Sequence, residues 1–193
     1  MKLIQALRKL GKSSLKGFDT ATLTWVEIDT VALLESDQRW ISERVGFNAR
    51  RVLLTEKTIN PYRVLKVADD DIRRIVYSEQ RAVHATSAFL YDYTVLDETH
   101  EARLVTIATV PAASGMGGEK TETLSDPFPV HMVRFAGTKS EEQDHVDFSK
   151  LYAFAPGNLI ITEDEELSIG SDRYVITEAG EELLTTRLSV TKR

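Results

Sequence analysis

Short runs of β-branched and aromatic residues, broken by polar turns roughly every 8 to 12 residues, constrain this chain more than any other feature. The runs fall at residues 23–28, 51–55, 62–67, 73–77, 82–96, 103–110, 128–135, 146–155, 159–161, 173–177 and 184–190. Turns are expected at Asp69-Asp70-Asp71, 97–101, 137–143, Gly170-Ser171 and 178–181. A succession of short strands with so little helical periodicity between them excludes the βαβ folds and points to an antiparallel β-barrel or sandwich. The fold class expected is therefore mostly β.

At 193 residues the chain has room for one elaborate β domain or two small ones. Residues 61–71 (PYRVLKVADDD) echo residues 172–182 (DRYVITEAGEE). Two related β domains split near 97–101 would produce such an echo, and so would two hairpins of similar composition. The divisions read from the sequence are a basic amphipathic arm over 1–19, a first β region with a short helix over 20–98, and a second β region over 99–193. The short helix is expected within residues 31–45, capped by Ser36 or Asp37 and ending at Gly46.

The first 17 residues carry five Lys or Arg and no acid, which leaves 19 basic against 30 acidic residues for the rest. This is a basic arm on an acidic body, steered by charge and sensitive to salt. Leu3, Ile4, Leu7 and Leu10 recur at helical spacing with Arg8 and Lys9 on the flanks, and Gly11 reads as a stop. About nine residues cannot hold a helix alone, so the arm needs a dock. Another chain, its own acidic body, and lipid or nucleic acid all remain open.

The chain has no Cys, which excludes disulfides, thiolate nucleophiles and cysteine-ligated metals. His84, His100, His131 and His145 fall into no metal-binding pair, and scattered histidines in a β protein are mostly ordinary residues. The acidic runs Asp69 to Asp71 and Glu163 to Glu166 read as solvated turns, because consecutive strand side chains point to opposite faces. Residues 112–125 (AASGMGGEKTETLS) hold three glycines within four positions and almost no large apolar side chain. A long loop is expected there, with Gly115, Met116, Gly117, Gly118, Glu119 and Lys120 as a channel or intersubunit contact. Neither a phosphate loop nor a Gly-x-Ser-x-Gly elbow is present. The sequence expectation is no enzyme and no cofactor. No apolar run reaches membrane-spanning length.

The closing stretch PGNLIITEDEELSIGSDRYVITEAGEELLTTRLSV resembles the end of head-closure proteins from the neck, or head-tail connector, of tailed bacteriophages. The matching residues are Gly170, Ser171, Asp172, Arg173, Tyr174 and Val175, followed by a terminal strand over 184–190. The resemblance implies a β-barrel subunit of a homo-oligomeric ring that joins the capsid or portal side to the tail and lines the DNA channel. Its partners would be neighbouring connector or tail proteins, with packaged DNA nearby but not specifically bound. The implied location is the virion, assembled in the host cytoplasm. The alternatives are a capsid decoration or tail-terminator protein, and behind them a metal-dependent hydrolase using Asp69 to Asp71.

Overall fold

The computed structural model describes residues 14–28, 30, 32–37, 50–67, 71–83, 89–111, 118–134, 151–163 and 165–193. These residues form strands and turns, with no helix among them. The first seven strands are β1 (Leu15–Asp19), β2 (Thr24–Ile28), β3 (Ala32–Asp37), β4 (Arg50–Thr55), β5 (Val64–Val67), β6 (Arg74–Val83) and β7 (Phe89–Asp97). They form one antiparallel sheet in the order β2-β1-β5-β6-β7-β4-β3. The last seven are β8 (His100–Pro111), β9 (Gly118–Leu124), β10 (Phe128–Arg134), β11 (Leu151–Pro156), β12 (Glu166–Ile169), β13 (Asp172–Glu182) and β14 (Thr185–Lys192). Their order is β10-β11-β14-β13-β12-β8-β9, and β10 also pairs with β8. That pairing closes β8, β10, β11, β14, β13 and β12 into a six-stranded antiparallel barrel.

The two sheets repeat one topology. Each strand of the second lies seven places along the chain from its counterpart in the first, and the neighbours are the same. The agreement extends to detail. A bulge interrupts β6 between Val76 and Ser78, and another interrupts β13 between Ile176 and Glu178. Val76 and Ile176, just before the bulges, are both core residues. Arg73 and Arg173 use their carbonyls alike, accepting from the amides of Glu98 and Arg193. The aligned segments are thus residues 73–78 (RRIVYS) and 173–178 (RYVITE). The echo read from 61–71 against 172–182 matched β5 with β13, whose true counterpart is β6.

In the first sheet, β2 and β3 are opposite edges, yet only residues 29–31 join them. Four residue steps span at most about 14 Å, so the sheet must curl until its edges approach. One core cluster accordingly takes Leu15 from β1, Ala32 from β3, Leu65 and Val67 from β5, Val76 from β6, and Tyr93 and Val95 from β7. The second sheet closes because β8 is long enough to serve two strands on one edge: His100 to Ala102 pair with β10, and Val105 to Pro111 pair with β9. All five residues of β1 are taken by β2. The barrel core is Ala102, Phe128, Val130, Ala153, Leu167, Ile176, Leu188 and their neighbours.

Several expectations are corrected. Residues 15–19 are a strand rather than the end of a basic arm, because Leu15 and Gly17 face inward and only Lys16 between them faces water. Residues 32–37 pair with β4 and are not helical, and the rest of the expected helix, 38–46, lies outside the described residues. The expected strand 82–96 is divided between β6 and β7, which pair with each other from Val83↔Phe89 onward. Residues 159–161 are not a strand; Glu166–Ile169 is. The turn expected at 178–181 is continuous strand, and the chain reverses one step later at Leu183, whose φ is 57°.

Candidate functional site

A cleft of about 520 Å³ lies where the two sheets meet. The first sheet contributes Phe18, Leu23, Trp25 and Lys66 together with Asp71 and Arg73; the second contributes Leu104, Asp126, Pro127, Pro129, Pro156 and Leu159. Local structure explains the lining. The β1–β2 hairpin places Phe18 directly across from Trp25, and their rings pack 5.3 Å apart at 60°. Prolines are confined to places where no ladder donor is needed. Pro127 sits in the 125–127 connection, while Pro129 and Pro156 lie in β10 and β11.

The hairpin tip is held by its own polar groups. Asp19 accepts from the Ala21 amide at 2.9 Å and from the Thr22 hydroxyl at 3.0 Å. Those bonds favour the ionised form, the backbone one most, and lower the Asp19 pKa. Leu23 then adopts φ 53° and stays 61% exposed at the cleft. Lys66 Nζ stands 5.1 Å from the Trp25 ring centroid and 3.4 Å from Asp71. Arg73 is bound to Glu98 through both Nε and Nη2, and its Nη2 also donates to Glu101 at 2.9 Å. The Glu98 hydrogen bond, ahead of the opposing burial, raises the Arg73 pKa and keeps the guanidinium charged.

Behind the cleft the sheets are joined by packing and by three hydrogen bonds. Ile75, Tyr77 and Leu96 of the first sheet share a buried cluster with Phe154 of the second. The Tyr77 hydroxyl donates to Glu182, and the Leu184 amide donates to the Tyr77 carbonyl at 3.0 Å. His131 is buried and its Nδ1 donates to the Asp97 carbonyl at 2.8 Å, while Asp97 accepts from Arg74 Nε at 3.0 Å. Burial lowers the His131 pKa, outweighing the carbonyl. Sequence reading treated His131 as one scattered histidine; its tie to Asp97 spans 34 positions and left no local signal.

The assembly-arm residues Leu3, Ile4, Leu7, Arg8, Lys9 and Leu10 lie outside the described residues, as do Gly115, Met116 and Gly117. Gly118, Glu119 and Lys120 are not in a loop. They open β9, opposite Pro111, Val110 and Thr109 of β8. Of the loop expected over 112–125, residues 118–124 are strand, and residues 112–117 lie outside the described residues. The strand over 118–124 has no core signal in the sequence, because Thr121 to Leu124 are all exposed. Of the acidic runs, Glu166 proves structural: it is 8% exposed and paired with Arg193. Asp69 and Asp70 lie outside the described residues. Among the described residues no three His, Asp or Glu side chains converge as a cation would require.

The cleft thus combines apolar and aromatic walls with a charge-balanced margin, Lys66 and Arg73 against Asp71 and Asp126. Such an arrangement can bind an apolar chain segment. Compared with described protein families the chain matches none, and no curated protein matches it in sequence.

Proposed function

We propose that the protein is a structural subunit of the head-tail connector of a tailed bacteriophage, forming a homo-oligomeric ring that joins the capsid or portal side to the tail. The observation that carries this reading is the β12–β13–β14 unit. It contains the residues of the resemblance, with the Gly170-Ser171 turn leading into Arg173, Tyr174 and Val175, and Leu188 and Val190 facing the core of a closed barrel. Closed and strongly curled sheets supply the rigid scaffold such a subunit needs, and a net charge of -6 favours passage of DNA over its retention. The paired strands β8 and β9 are the element available to meet a channel or a neighbour. The protein acts mechanically and carries out no catalysis.

The test is an image of the protein in its particle by cryo-electron microscopy, with light scattering of the purified chain. A ring at one vertex is the expected outcome. An array over the shell makes it a decoration protein, and a ring at the tail end makes it a tail terminator.

A further inference from the structure

We propose that copies of this chain join head to tail by using again the contact that joins its own halves. The outer face of β13 and β14 in one copy packs on the outer face of β3 and β4 in the next, with Leu33 and Leu54 as the residues it covers. The inference rests on the ring reading and names the contact that would build the ring.

The repeated topology carries it. Within the chain, the joint sets Ile75, Tyr77 and Leu96 of β6 and β7 against Phe154 of β11, beside which His131 of β10 is buried. Strand register identifies the counterparts. Just before the two bulges, Val76 pairs with Val95 and Ile176 with Val190. Three residues back along β7 and β14, Asp92 pairs with Leu54 and Arg187 with Phe154. One strand further out, Leu54 pairs with Leu33 and Phe154 with His131. Leu54 and Leu33 thus hold in the first sheet the positions that Phe154 and His131 hold in the second.

Their surroundings differ. The first half covers Phe154 and His131, whereas Leu54 and Leu33 are only half-buried, and among the described residues no core cluster includes them. Alternation puts both leucines on the outer face, since Ala32 and Thr55 beside them are fully buried. The fold therefore shows what covers this position in one sheet and leaves an aliphatic pair at the same position in the other.

The covering face is repeated as well. Ile75 pairs with Leu96 and Val175 with Thr191, and the bulge residues are Tyr77 and Thr177. Ile75, Tyr77 and Leu96 are buried, while Val175 is half-buried and Thr177 and Thr191 are exposed. These three are uncharged and β-branched, and the ion pairs Arg193–Glu166 and Arg173–Glu122 stand beside them. An uncharged centre with a polar rim suits a contact between subunits. Each chain carries one further copy of each face, on opposite halves. Faces that fit each other rather than themselves make a heterologous contact, which forms a ring when its rotation closes.

The test puts a charge on one face at a time in the full chain, as Thr177→Arg and Leu54→Arg. Each variant alone should raise the concentration needed for assembly by about tenfold or more, read by light scattering. Mixed in equal amounts they retain one intact face each, and should form dimers of the two variants and nothing larger. Leu33→Arg replaces Leu54→Arg if circular dichroism shows the latter unfolded. Assembly unchanged in both variants would overturn the proposal and leave the ring reading standing. So would two variants that fail to assemble alone and form no dimer when mixed, since the two faces would then not meet. A parent chain that stays monomeric at every concentration would remove both.

Discussion

Gly17 shows how little freedom single positions have. A Cβ there would lie 2.3 Å from the Tyr62 ring, near its attachment point, where the ring cannot swing aside. Gly17→Ala should therefore cost about 1–3 kcal/mol, read as a lower denaturant midpoint. Trimming Tyr62 to Leu in the same chain should restore part of the loss. His131 sets a pH dependence at the same scale. Its folded pKa lies below the ordinary 6.5 because burial disfavours the cation. As pH falls below 6.5 the unfolded chain takes up the proton before the folded one, so stability drops across that window. His131→Gln should flatten this component of the profile, measured as the change in urea midpoint between pH 7.5 and pH 5.

Turn chemistry and edge exposure decide the elements. Gly170 takes φ 59° between β12 and β13, which a glycine does at no steric cost. Leu183 takes nearly the same angle between β13 and β14 while 68% exposed. Leu183→Gly should relieve that backbone, and the gain of up to about 1 kcal/mol is limited by the added entropy of the unfolded chain. A rise in melting temperature checks it. Strand β9 is an edge, paired only with β8 among the described residues. Its charged and threonine side chains discourage further pairing, as edge strands require. They are also the reason it reads as a loop: alternation reports burial of one face, and β9 buries neither.

For the whole molecule the joint between the sheets is decisive. Phe154 is fully buried in the cluster with Ile75, Tyr77 and Leu96, and its ring meets Tyr77 edge-on at 6.0 Å. Phe154→Ala should cost about 3–5 kcal/mol and loosen the coupling between the halves. Trp25 and Trp40 both precede the second sheet, so tryptophan fluorescence follows the first half while circular dichroism follows both. The two unfolding curves should coincide in the parent protein and separate in the variant. Coincidence in both would mean that the halves are coupled elsewhere.

Much of this architecture was legible before any coordinates. Local alternation and turn residues determined a mostly β chain, and they located β2, β4, β5, β10 and the Gly170-Ser171 turn, because those signals act between residues a few positions apart. Tertiary structure alone decided that the strand order occurs twice, that one copy closes through β8 and β10, and that Phe18, Trp25, Pro127 and Leu159 share a cleft. Strand partners are chosen by burial summed over the whole sheet, and β8 pairs with β12 across more than sixty positions. An echo in the sequence could be seen yet set out of register, since a bulge and a shared hydrogen bond, rather than similar letters, define which strands correspond.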